Sequence, residues 1–174
     1  MCKKSMLGYH GTTRVNAELI VAEQHIKAST RTNDWLGSGA YFFAYKDHAI
    51  WWISHKRYTC VQTRILSADL EYTDNQMLDL DDPGQLRALD DIVKAAIELS
   101  EEAGEATSAV LYTQKEKWCF ACNLIRRVNP EIGIIMYTFR DSGDRRIYKH
   151  SAFYGNQRQI CVSNPSIVTN IKIV

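Results

Sequence analysis

Residues suited to holding a planar amide and its sugar fall in three short stretches of this chain. They are Tyr9-His10-Gly11-Thr12-Thr13, Gly37-Ser38-Gly39-Ala40-Tyr41-Phe42-Phe43 and Gln159-Ile160-Cys161-Val162. A glycine at a strand end leaves its N–H and C=O open to a group that needs one acceptor and one donor together. His10 can hydrogen-bond a sugar hydroxyl, and Thr12 adds a second hydroxyl nearby. In the second stretch, Gly37 and Gly39 allow close approach of the backbone, and a strand aromatic can lie flat against a ligand ring. Alternation turns Tyr41 toward that ligand and Phe42 inward. Each motif also has a plainer reading, as a histidine capping a turn or a tyrosine in a core.

The elements that must position these residues follow from periodicity. Met6 to Thr12 reads as a strand, and Val15, Leu19 and Ala22 recur at helical spacing over Arg14 to Glu23. His25 to Asn33 is a polar crossing to the glycine loop, and Ala40 to Ala44 is a buried strand. Asp47 is placed to cap a helix that carries Ala49, Ile50 and Ile53 inward, beside Trp51 and Trp52. Cys60 to Leu70 alternates as a strand, and Glu71 to Asp79 is turn-rich. Asp82-Pro83 opens a helix that buries Leu86, Leu89, Val93 and Ile97 and ends at Gly104. A further helix spans Gln114 to Val128, with Trp118, Cys122 and Ile125 aligned and Asn129-Pro130 stopping it. Ile132 to Phe139 is apolar on both faces and reads as a central strand. Arg145 to Arg158 is a basic, aromatic connection or edge hairpin; strands over Gln159 to Ser163 and Ile167 to Ile173 close the chain. The fold class is α+β, in one domain over residues 1–174.

Composition excludes several classes. The chain has 174 residues, 45% hydrophobic and 24% charged, with formal net charge +1, which are ordinary values for one globular domain. No apolar run approaches the ~20 residues of a membrane span, and the N-terminus lacks a signal-peptide core. The expected location is cytoplasmic, with no membrane partner. Five cysteines form an odd set without framework spacing. Cys119 and Cys122 lie within a helix and have no second pair at zinc spacing, so no metal is expected.

His-Gly-Thr after a first strand, Gly-x-Gly-x-Tyr-Phe after a helix, and a polar residue opening a late strand resemble the PARP-like (diphtheria-toxin-type) ADP-ribosyltransferases. Their H-Y-E triad falls here on His10, Tyr41 and, by order, Gln159: an H-Y-Q variant. The resemblance covers most of the chain except Glu71 to Val128. It implies a split β-sheet core with flanking helices that binds NAD, as co-substrate, between two small sheets. It assigns catalysis to His10, Tyr41 and Gln159, and NAD contacts to His10, Gly11, Thr12, Arg14, Gly39, Tyr41 and Phe42. His10 would hold the adenosine ribose, Gly11 would clamp the carboxamide, and Tyr41 would stack on the nicotinamide. Arg14 would face the diphosphate. Small bacterial and phage members act as toxins or antiviral effectors, so an antitoxin is a possible partner.

Gln159 is the departure. A glutamate there would carry negative charge and help deprotonate an acceptor, whereas glutamine can only position a hydroxyl. This favours transfer of a single ADP-ribose over polymer synthesis. Any base must come from elsewhere, with Glu131, Asp141 and Asp144 as candidates. Basic clusters at Lys115/Lys117, Arg126/Arg127 and Arg145/Arg146/Lys149, the last with Tyr148, Phe153 and Tyr154 interleaved, put nucleic acid ahead of protein as acceptor. Two other readings are a non-catalytic NAD or ADP-ribose binding module and an NAD glycohydrolase.

Overall fold

In the computed structural model, which describes residues 3–54, 62–103, 113–140 and 155–174, strand β1 (Lys4–Thr13) runs directly into helix α1 (Arg14–Glu23). Thr13 makes that junction sharp. Its backbone is extended, and its hydroxyl accepts the Asn16 N–H at 3.3 Å, satisfying one of the free donors of the first turn. The helix ends at Gln24, which takes a left-handed conformation.

Then come β2 (Ala40–Phe43), α2 (Lys46–Ser54), β3 (Thr63–Tyr72), a 3-10 turn (Asp74–Gln76) and β4 (Met77–Asp79). After α3 (Pro83–Glu102) and α4 (Gln114–Val128) the chain forms β5 (Ile134–Arg140), β6 (Asn156–Val162) and β7 (Val168–Ile173). α1 and α4 span the residues that periodicity predicts, and the Asp82 carboxylate caps α3 through the Gly84 and Gln85 N–H groups. The segment read as turn-rich instead contains β4, whose three residues pair in parallel with Ile134–Met136; so short a strand leaves no periodic signal. Asp47 lies inside the first turn of α2 rather than before it. Gly104, most of Arg145 to Arg158, and Asp141 and Asp144 lie outside the described residues.

The seven strands of the described residues form one sheet in the order β4-β5-β6-β2-β1-β3-β7. β1 pairs with β3 over its whole length, from Lys4–Tyr72 to Thr13–Thr63, and β6 pairs with both β5 and β2. β1 and β2, at the centre, meet at one register pair, Tyr9–Phe43. The sheet is therefore two well-paired parts joined along a weakly paired seam.

Pleating assigns the faces. Gly8, His10 and Thr12 share a face with Ala40, Phe42, Ile160 and Val162, where α1 covers the largest core cluster, with Leu66, Leu70 and Ile134. On the other face the core is divided. One cluster, with Leu36, Cys122, Ile125, Ile135 and Cys161, lies under α3 and α4. The second, with Phe43, Ala49, Ile53 and Ile65, lies under α2.

Candidate active site

The seam brings the three motifs together. His10 Nδ1 lies 2.7 Å from the Tyr41 carbonyl oxygen, so its ring replaces a backbone partner where β1 and β2 part. A carbonyl only accepts, so Nδ1 carries the proton and Nε2 presents a lone pair. Burial lowers the His10 pKa, against the opposing pull of the Tyr41 carbonyl, and keeps the ring neutral. Nε2 makes no hydrogen bond among the described residues, so it can accept one from a ligand hydroxyl.

This shift has a consequence for stability. A histidine whose folded pKa lies below its ordinary value of 6.5 favours folding fully above pH 6.5. That contribution is lost as pH falls from 6.5 through the folded pKa. His48, also lowered chiefly by burial, acts in the same direction. The melting temperature is expected to hold from pH 8 to 7 and to fall below about pH 6.5. His10→Asn should flatten that fall; an equal slope in the variant would show that His10 does not cause it.

Gln159 stands on the opposite face, directly across from Phe43 of β2 and Tyr137 of β5. It is 6% exposed, and among the described residues its amide makes no hydrogen bond. Tyr41 pairs with Cys161, one alternation along the same face, so its Cα lies diagonal to that of Gln159 at roughly 7–8 Å. Tyr41 and Gln159 thus occupy the boundary between the two core clusters. His10 leans to the other face, its ring edge-on to Phe42 with centroids 6.1 Å apart. A ligand touching all three must cross the seam.

The glycine loop is fixed from both ends. Ser29 and Gly39 exchange backbone hydrogen bonds of 2.8 and 2.9 Å, closing the excursion between them. The Tyr41 hydroxyl donates to the Gly37 carbonyl at 2.7 Å and accepts the Leu36 N–H at 2.8 Å. With its hydroxyl engaged and its pKa raised by burial, Tyr41 offers a ligand only its ring. From α4, Arg126 donates to the carbonyls of Ser38 (2.8 Å), Cys161 (3.2 Å) and Leu36 (3.3 Å), and Asn123 accepts the Ser38 N–H at 2.8 Å. Trp35 packs edge-on against Trp118 and Phe139, so Asp34 to Leu36 is docked against α4 and β5.

Several expected NAD contacts change meaning. Gly39 spends its N–H and C=O on Ser29, and a Cβ there would stand 2.6 Å from Cys161 Sγ and 2.7 Å from the Val162 oxygen. Packing of β6, not ligand approach, requires glycine at that position. Gly37 is the glycine in positive φ (78°). A Cβ on Gly11 would lie 2.7 Å from the Ala49 carbonyl oxygen, so α2 closes over that side of it. Phe42 is 1% exposed and packs beside Gly8, so it forms core beneath His10 rather than a ligand contact. Thr12 is buried, and Arg14 pairs its Nε with Glu18 at 3.2 Å on the first turn of α1. Glu131 bonds Asn75 at 2.6 Å near the β4 edge, far from the seam.

Two features escape the sequence reading. Arg126 belongs to a polar edge of α4, Cys119, Asn123 and Arg126, that faces the loop at spacings of four and three. That spacing is present in the sequence, where the Arg126–Arg127 pair masks it. His48 packs its ring against Phe43 with centroids 6.3 Å apart, and among the described residues its buried Nδ1 has no hydrogen-bond partner. It is a neutral imidazole one side chain away from the Gln159 rung.

Cys119, Cys122 and Cys161 are free and buried, and among the described residues no cluster of metal-binding side chains exists. No described helix is long and apolar enough to cross a membrane. No protein-family profile and no solved structure matches the chain. A 48-residue stretch, 28% of this chain, is 46% identical to an uncharacterized protein of Methanocaldococcus jannaschii, MJ0359, and spans 22% of that protein's length.

Proposed function

We propose that this chain is a mono-ADP-ribosyltransferase that uses NAD as co-substrate, with a toxin or antiviral role. The observation that carries the reading is the seam itself. Its strands diverge next to a neutral His10 with an open Nε2, and Tyr41 and an unpaired Gln159 amide stand one alternation apart between two core clusters. An extended dinucleotide crossing that seam meets His10 with its adenosine ribose and Tyr41 with its nicotinamide ring. Gln159 then accepts a hydrogen bond from the nicotinamide ribose. The glycosidic bond breaks with its electron pair leaving on nicotinamide. The acceptor's lone pair adds to the anomeric carbon, and the acceptor's proton is lost. His48, whose ring packs against Phe43 opposite Gln159, is a neutral base beside that rung.

Incubation of the protein with cell lysate and NAD labelled in its adenylate phosphate tests this reading. Release of nicotinamide together with label on a macromolecule is the expected result; nuclease or protease sensitivity of the label identifies the acceptor. NAD binding without release makes the chain a binding module, and release without labelled macromolecule makes it a glycohydrolase. Neither binding nor release ends the proposal.

Gln159→Glu sharpens the position of the third residue. A carboxylate beside the developing positive ribose should raise nicotinamide release by about tenfold or more. Burial lifts the pKa of the new acid, so the gain should grow as pH rises. A rate that is flat across pH, or lower than wild type, would remove position 159 from the anomeric carbon.

A further inference from the structure

Beside Gln159, across one strand, a cavity of about 260 Å³ opens between α3, α4 and β5. Trp35, Trp118, Tyr137 and Phe139 wall it, and Leu86 and Leu89 of α3 form the opposite side. The rings are set edge-on or tilted, with Trp35–Phe139 centroids at 4.5 Å, Trp118–Phe139 at 5.3 Å and Tyr137–Phe139 at 4.9 Å. Among the described residues neither indole N–H nor the Tyr137 hydroxyl makes a hydrogen bond. An apolar cavity with open donors around it suits a flat ring that has acceptor atoms on its edge. Its volume is below the ~300–1,000 Å³ of pockets that take a whole ligand, so it fits one ring and not a dinucleotide.

Charge selects the kind of ring. Lys115 holds its ammonium 5.2 Å from the Trp35 ring centroid at the cavity, and Lys117 and Arg127 add to the basic character of α4. α3 is acidic, carrying Asp90, Asp91, Glu98, Glu101 and Glu102 against Arg87 and Lys94. A polyanion would lie along α4 and be turned away from α3. Tyr137 is directly opposite Gln159, so a ring in the cavity sits on the sheet face that carries Gln159, about one strand spacing from it.

We propose that this cavity is the acceptor subsite and that it takes one unstacked base of a single-stranded nucleic acid. The strand's phosphates then follow Lys115 and Lys117. The proposal rests on the transferase reading for its meaning, but the binding it requires can be measured without NAD.

The test is titration of the purified protein with a single-stranded 12-mer RNA and DNA of mixed sequence, read by tryptophan fluorescence at two salt concentrations. Saturable quenching is expected, weakened by salt. Trp118→Ala should weaken oligonucleotide binding about 10- to 100-fold. Because a tryptophan deletion can unfold a helix, two gentler variants accompany it. Tyr137→Phe should flatten preference among homopolymers, and Lys115→Glu should reduce the salt slope by about one. Unchanged affinity in folded Trp118→Ala, or in both gentler variants, overturns the proposal. So does displacement of the oligonucleotide by an acidic peptide of equal charge, which would make the surface one for protein. Oligonucleotide binding that depends on Trp118 without any NAD turnover would retain the subsite and reject the transferase. Turnover without oligonucleotide binding would do the reverse.

Discussion

Arg126→Ala is expected to lower the unfolding free energy by about 3 kcal/mol, a loss readable as a reduced urea midpoint with unchanged slope. The guanidinium is the single donor group shared by Leu36, Ser38 and Cys161, and each of these bonds is charge-assisted. Removing it leaves three carbonyls to find water in a partly buried place and frees the loop from both α4 and β6. Arg126→Lys should recover only a fraction, because one ammonium on a flexible stem cannot span three carbonyls as a planar fork does. A loss under 1 kcal/mol for alanine would mean that the loop is held mainly by the Ser29–Gly39 rungs and by Trp35. The same variant should also lose activity, since the Tyr41 hydroxyl is bonded to this loop.

His10→Ala is expected to reduce nicotinamide release at least about 100-fold, the size of effect that a misplacement near 1 Å produces. Two contributions combine. The variant loses the Nε2 lone pair proposed to accept from ribose, and it loses the ring that holds the Tyr41 carbonyl across the seam. His10→Asn separates them, because an amide can still donate to that carbonyl while placing its acceptor differently. If Asn restores the melting temperature but not turnover, the imidazole acts on the ligand. If Ala retains more than about a third of wild-type turnover, His10 is a seam brace alone.

How much of this was legible beforehand depends on the element. The spans of α1 and α4 were readable from helical spacing, although in α1 the spaced Val15 and Leu19 face solvent and Ala17 packs inward. β4 was not, because its three residues gain their identity from pairing with β5 and from nothing local. Motif order was enough to point to His10, Tyr41 and Gln159 as near neighbours. It could not show that His10 lies on the opposite face from the other two, since facing depends on the Tyr9–Phe43 register, a tertiary property. The loop glycines were read as openings for a ligand. One of them, Gly39, is instead glycine because Cys161 lies 2.6 Å from where its Cβ would be, a contact between residues 122 apart in the chain. Arg126 and Trp118 were read as surface charge and helix core. Their role at the loop depends on how α4 lies against Leu36 and Trp35, and composition does not encode that placement.

The linking position of β6 between β5 and β2 has a consequence for synthesis. Among the described strands it is sixth of seven in chain order, yet it alone joins the β4-β5 pair to the rest of the sheet. Until Asn156–Val162 has been made, a nascent chain holds two pieces of sheet without their common partner, and the Gln159 rung does not exist. At ~5–20 residues per second, Gln159 follows His10 by roughly 7–30 s. Any activity that needs Gln159 would therefore wait for β6, well after His10 and Tyr41 have emerged.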